Sequence, residues 1–191
     1  MVVPREKLFV VEPDHTEFVL KYLTNKDFIR VADVIRYKCN PDHIELVKIN
    51  EKAYHKHRNW VYIFIAVKGN RYVIIKIGET MECLLTKTRG HGCDKYEYYS
   101  REYTINGKRY NAGRLGAYSS GTGTDQTVRE VCQEFLDEGY EVKVIAKKLH
   151  CGRCSKTGKK MYEYSKDVEV KLLEDFHNIY RSKPKGNKRN S

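Results

Sequence analysis

Residues 60–78 read WVYIFIAVKGNRYVIIKIG, and this stretch decides the fold. Trp60 to Val67 and Tyr72 to Ile77 are runs of β-branched and aromatic residues, the types that suit a pleated, half-buried surface. Between them Lys68-Gly69-Asn70-Arg71 supplies the chemistry of a tight turn, and Gly78 closes the second run. The two runs therefore predict an antiparallel hairpin. One residue breaks the pattern. Lys76 sits in an otherwise apolar strand, so either its ammonium faces solvent or its charge is put to use.

Forward of the hairpin, the polar segment Glu79 to Asn111 is too long for a plain connection in a compact domain. It predicts an inserted finger, with a hairpin of its own at Ile105-Asn106-Gly107-Lys108. Arg114 to Tyr118 reads as a helical turn or two, closed by Ser119-Ser120-Gly121. Thr124 then caps a helix with Val128, Val131, Cys132 and Phe135 at i, i+3, i+4 and i+7, and Gly139 stops it. Tyr140 to Ala146 alternates as a third strand. Asp167 to Tyr180 predicts the last helix, with Leu172, Leu173, Phe176, Ile179 and Tyr180 on its buried face. The basic tail, residues 182–191, is expected to fray.

Backward of Trp60, residues 1–58 predict a helical N-terminal arm. Asp14 and Glu17 have the spacing of a capping box, and Phe18, Tyr22 and Leu23 form a stripe after it. A second helix follows Thr24, with Phe28, Val31, Ala32 and Ile35 at helical spacing. A third opens at Asn40-Pro41 and carries Ile44, Leu46 and Val47. The fold class is then α+β and sandwich-like: a small antiparallel three-stranded sheet flanked by helices, plus the arm. The core spans residues 59–181, with 79–111 inserted.

Charge narrows the partners. The chain has 36 Lys and Arg against 25 Asp and Glu, a net +11. Such a surface attracts a polyanion, most commonly nucleic acid, although many basic proteins have no such partner. No stretch approaches the ~20 apolar residues of a membrane span. The run LFVV at residues 8–11 is too short for a signal-peptide core, so an intracellular, cytoplasmic address is expected. In a reducing compartment the six cysteines are buried thiols or metal ligands rather than bridges. His150-Cys151-Gly152-Arg153-Cys154 has the C-x₂-C spacing of a zinc knuckle, with Cys93 or His91 as a fourth ligand. The alternative there is a polar loop with two free thiols.

Two more residues stand out. Glu169 lies four residues before Leu173 and seven before Phe176, on the same helical face. A carboxylate on that stripe needs a metal or an arginine beside it, unless it stands at the exposed helix start, where the dipole favours it. Arg114, with Tyr118 one turn later and a small-residue loop beyond, can hold a phosphate through paired guanidinium hydrogen bonds. The alternative is a surface arginine.

In sequence order these features resemble the GIY-YIG nuclease superfamily. They are Trp60-Val61-Tyr62 on one strand and Lys76-Ile77-Gly78 on the next, then Arg-Leu-x-x-Tyr, then Glu-x-x-x-Leu-x-x-Phe on a helix. The closest likeness is to its type II restriction endonucleases with a Lys-Ile-Gly second motif. It covers roughly residues 59–180 apart from the insertion and the loop at 150–164. The resemblance implies that Tyr62 and Lys76 face each other and orient or deprotonate the attacking water. It implies that Arg114 grips the scissile phosphate and that Glu169 binds one Mg²⁺ or Mn²⁺. Arg89 lies nearer the second motif, but its Thr-Arg-Gly-His-Gly setting lacks the helical continuation that Arg114 has. The implied activity is cleavage of double-stranded DNA by a homodimer, with Lys108, Arg109, Arg89 and Tyr118 as candidate DNA contacts. The alternatives are a DNA- or RNA-binding module that has lost its chemistry, and a homing or repair enzyme that nicks one strand.

Overall fold

The computed structural model describes residues 14–24, 26–37, 42–48, 59–80, 84, 103–105, 108–110, 114, 115, 118, 124–149, 151–153, 160–162 and 165–187. The expected hairpin is its centre. Strands β3 (Trp60–Lys68) and β4 (Arg71–Thr80) pair antiparallel around the turn at Gly69 and Asn70, where Gly69 takes φ 59°. Side chains reach this turn's left-handed backbone only with strain, which is why glycine stands there. The register runs Ile63 to Ile77 and Phe64 to Lys76, then shifts to Ile65 against Ile74. The shift leaves Ile75 as the extra residue of a β-bulge. A bulge turns two successive side chains to one side, so Lys76 shares the face of Phe64 and Tyr62 while Ile75 stays in the core on that side.

On its other side β3 pairs with β7 (Glu141–Lys148). Strand β7 pairs with β1 (Ile29–Arg36), and β1 with β2 (Ile44–Lys48). The order is β2-β1-β7-β3-β4, five strands, every pair antiparallel. Two short hairpins lie apart from this sheet: β5 (Tyr103–Ile105) with β6 (Lys108–Tyr110), and β8 (Cys151–Arg153) with β9 (Lys160–Tyr162). The first is the hairpin expected in the insertion. Helix α2 (Thr124–Asp137) covers one face with Val128, Val131, Cys132 and Phe135, all buried as its spacing requires. Helices α1 (Thr16–Tyr22) and α3 (Ser165–Tyr180) cover the other, where Phe18, Leu172 and Phe176 meet Val61, Ile63 and Ile77. The class is α+β with helices on both faces, as expected, but the sheet has five strands rather than three. No helix among the described residues is long and apolar enough to cross a membrane.

The difference comes from the supposed helical arm. Among the described residues its first helix is present as α1, and where the second and third were expected stand strands β1 and β2 of the main sheet. The register of β1 against β7 shifts between Arg30 and Ala32, so Val31 and Ala32 both turn inward. Two adjacent buried residues followed by buried Val34 imitate helical spacing, while Ile35 is left 39% exposed. On β2, Ile44 and Leu46 are buried and Val47 faces out, the two-residue period of a strand. The capping box is also absent. Asp14 accepts from the Thr16 N–H (3.0 Å) and hydroxyl (2.6 Å), and His15 takes the N-cap position.

Strand β4 is an edge, and both ends of the described chain close it. The His15 N–H donates to the Tyr72 carbonyl (2.7 Å), and His15 Nδ1 accepts from the Ile74 N–H (2.8 Å). Three residues along, Asn187 Oδ1 accepts from the Ile77 N–H (2.8 Å) while its Nδ2 donates to the Ile77 carbonyl (2.7 Å). Fraying of the tail was expected over residues 182–191, but its described part, residues 182–187, is held on the sheet. It turns through the 3₁₀ segment Lys185–Asn187, and Gly186 is buried so closely on β4 that a Cβ there would lie 2.9 Å from the Ile75 carbonyl oxygen. These contacts satisfy backbone groups that an open edge would offer to other strands.

His15 must be neutral to accept that bond. Burial against Phe176 and Tyr180, partly countered by the charge of Asp14, lowers its pKa to about 4. The unfolded chain binds this proton near pH 6.5 and the folded one near 4, so the contribution is intact above about 6.5 and is lost as pH falls toward 4. A shift of this size corresponds to at most about 3 kcal/mol. His15→Asn keeps an acceptor but does not titrate. In urea unfolding at pH 7 and pH 4.5, wild type should lose up to that much more stability than the variant. Equal losses would show that His15 stays solvated.

Candidate active site

Tyr62 is 1% exposed and lies across Gly78, its register partner on β4. A Cβ at position 78 would stand 2.5 Å from both Cζ and the hydroxyl oxygen of Tyr62. The glycine that closes the hairpin motif is thus the floor of the phenol's site. Gly78→Ala must push the ring away, at about 1–3 kcal/mol of stability. The expected result is a lower Tm together with loss of whatever the hydroxyl does. An unchanged Tm would mean that the ring has room to move.

The Tyr62 hydroxyl shares a hydrogen bond of 2.8 Å with the hydroxyl of Tyr118, which is fully buried. Arg114 Nη2 donates to the Tyr118 oxygen (2.8 Å) and to Asp125 Oδ1 (2.9 Å), and the guanidinium carbon lies 4.5 Å from the centre of the Tyr118 ring. Hydroxyl, hydroxyl, guanidinium and carboxylate form one continuous chain. Backbone bonds hold its middle: the Leu115 N–H donates to the Leu84 carbonyl (2.9 Å), and the Tyr118 N–H to the Leu115 carbonyl (3.1 Å). Leu84 and Leu115 are both fully buried beneath it. Asp125 sits in the first turn of α2, where a carboxylate also suits the helix dipole. Arg114 Nη1 is buried and meets no acceptor among the described residues.

The charges explain one another. Burial pushes the Tyr62 phenol upward, and the Arg114 guanidinium is the chief force pulling it back. Tyr118 is raised further, first by burial and then by the field of Tyr62. Burial works against the Arg114 cation, but Tyr62, Tyr118 and Asp125 more than offset it. Burial lowers the Lys76 ammonium, and Glu169 is the strongest charge acting the other way. The sequence resemblance implied that Tyr62 and Lys76 face each other, and in the sheet they do not. Lys76 stands opposite Phe64, diagonal to Tyr62, and the cation acting on the phenol is Arg114.

Glu169 is 7% exposed on α3, on the buried stripe where its spacing placed it. Its Oε2 takes the Lys166 ammonium at 2.6 Å, so the cation it requires is at present a lysine that is itself largely exposed. The start of α3 is tied to β4 by the Ser165 hydroxyl, which donates to Glu79 Oε2 at 2.7 Å. No cluster of three or more His, Cys, Asp or Glu side chains among the described residues forms a closed metal cage. Glu169 alone still suits Mg²⁺, an ion that takes one or two carboxylates and completes its shell with water and phosphate oxygens.

The structure thus joins Tyr62 to Arg114, places Lys76 and Glu169 within electrostatic reach of them, and adds Tyr118, which was expected to touch DNA but is enclosed. Lys108 and Arg109 lie on β6, described by backbone alone, and so does Cys151 on β8. Arg89, His91, Cys93, His150 and Cys154 lie outside the described residues, and the zinc expectation lies there with them. Sequence reasoning missed Asp125, Gly78 as a floor, and Asn187. Asp125 had a signal, an acid in the first turn of a helix just beyond an arginine, but it reads equally well as dipole chemistry.

No family model matches the chain, and no curated protein does. Among solved structures, the restriction endonuclease HPY188I in complex with product DNA is similar with a TM-score of 0.39 and 19% identity, over 94% of this chain and 88% of that one.

Proposed function

We propose that this chain is a metal-dependent endonuclease that hydrolyses phosphodiester bonds of double-stranded DNA, a restriction enzyme of the type II kind with GIY-YIG chemistry. The observation that carries the reading is the buried chain from Tyr62 through Tyr118 to Arg114. Burial raises the Tyr62 phenol, and the Arg114 guanidinium pulls it back toward phenolate, the form that accepts a proton from water. Arg114 has an unmet charged donor, a deficit of ~1–3 kcal/mol that an anion drawn against it would relieve. The net charge of +11 favours DNA as that anion.

In this mechanism Tyr62 takes the proton of the attacking water, and Tyr118 fixes the phenol's orientation. Arg114 binds the phosphate and offsets the charge that develops on it. Lys76, with its ammonium lowered by burial, orients the water from the diagonal position. Glu169 would hold the Mg²⁺ or Mn²⁺, which supplies charge stabilisation at the leaving oxygen. The basic hairpin β5–β6, with Lys108 and Arg109, supplies DNA contacts, and two copies together cut both strands. Incubation of the purified protein with plasmid and Mg²⁺, with EDTA as control, tests the reading. Linear or nicked product in Mg²⁺ alone supports it. DNA bound but uncut in either buffer would favour the binding module instead.

A further inference from the structure

Asp125 closes the far end of the hydrogen-bonded chain. Its carboxylate shares Arg114 Nη2 with the Tyr118 hydroxyl, at 2.9 and 2.8 Å, and Tyr118 meets Tyr62 at 2.8 Å. Arg114 and Asp125 are both mostly buried, with side chains 21% and 18% exposed, so little solvent screens the pair. Asp125 also belongs to a well-anchored helix, whereas Arg114 stands in a turn with Leu115. The carboxylate is therefore placed both to fix the guanidinium against Tyr118 and to cancel part of the positive charge that the tyrosines feel.

We infer that Asp125 is a positioning residue for the proposed nuclease reaction: it orients Arg114 toward the tyrosine pair and sets the pH at which that pair gives up its proton. The inference rests on the nuclease reading for its effect on rate, but not for its effect on ionisation. The charges acting on the pair come from three elements: Arg114 before α2, Asp125 on α2 and Glu169 on α3, while Lys76 on β4 and Lys166 on α3 stand near Glu169 and act through it. Asp125 is the only one of these hydrogen-bonded to the arginine among the described contacts. With Asp125 neutral, the full charge of Arg114 bears on Tyr118 and Tyr62, and the phenolate forms more readily.

The test is Asp125→Asn, which keeps an oxygen that can accept from Nη2 and removes the charge, with Asp125→Glu as the charge-preserving control. Asp125→Ser, also at home in a first helical turn, serves if the asparagine variant fails to fold. Tyrosinate absorbance is followed against pH in each protein without DNA. In Asp125→Asn one tyrosine should titrate about one unit lower than in wild type, a shift typical of a removed neighbouring charge, and the added Tyr118→Phe substitution, which removes the hydroxyl that shares Arg114 Nη2 with Asp125, should abolish it. Asp125→Glu should titrate like wild type. The acid limb of the kcat profile should move by the same amount in the same direction. If Asp125 only supports the helix, Asp125→Asn lowers Tm and leaves both titration and pH profile in place, which overturns the inference. If wild type cuts no DNA, the nuclease reading fails, and the absorbance titration still decides the role of Asp125.

Discussion

Tyr62→Phe should slow DNA cleavage by about 10²–10⁴ at saturating DNA, the usual loss on removal of a general base. The substitution keeps the ring on Gly78 and its contact with Phe64, and removes only the oxygen that meets Tyr118. One buried hydrogen bond is lost and Tyr118 keeps Arg114 as a partner, so stability should fall by only about 1 kcal/mol. DNA affinity in EDTA should not change. The loss should fall on kcat rather than KM, since the proton is moved only in the reaction itself. A Tyr62→Phe protein that cuts at the wild-type rate would reduce the tyrosine to a core ring, and Lys76 would become the candidate base.

Glu169→Gln should have the larger effect. It preserves shape and a hydrogen-bonding oxygen but removes the charge that a divalent cation requires. A metal contribution of several kcal/mol corresponds to a loss of roughly 10³ or more in rate. The fold should survive, because the partner given up is the largely exposed Lys166 one turn away and a neutral amide is cheaper to keep at this buried position than a carboxylate. Binding of Mn²⁺, followed directly by magnetic resonance, should disappear along with cleavage while DNA is still bound. Loss of folding with loss of cleavage would make Glu169 a structural residue.

The hairpin was legible because its residues leave no choice: β-branched runs of that length, with glycine at the turn, have one good arrangement. The helices α2 and α3 were legible for a similar reason, their buried residues keeping a strict 3.6-residue period. What escaped was every place where a strand departs from its own period. A bulge near Ala32 disguised β1 as a helix, and a bulge at Ile75 decides which way Lys76 points. No local pattern in Val-Ile-Ile-Lys-Ile reveals which residue is the extra one, because register is set by the neighbouring strand. Glu169 was readable from its helix alone. Asp125 and Asn187 were not, because their meaning depends on partners brought together by the fold, Arg114 in one case and the backbone of Ile77 in the other.

The closure of β4 by His15 and Asn187 also orders events in time. Asn187 bonds to a residue 110 positions earlier, and such distant contacts form late, after nearer pairings have reduced the entropy of closing the loop. During synthesis, Tyr62, Lys76 and Arg114 leave the ribosome well before Glu169, and the clasp on Ile77 comes after all of them. A growing chain can therefore fold much of its sheet while the candidate site lacks its carboxylate and its strand lacks its outer seal. The candidate site is thus completed only after residue 169 has been made, and the edge beside it is sealed only once Asn187 has followed.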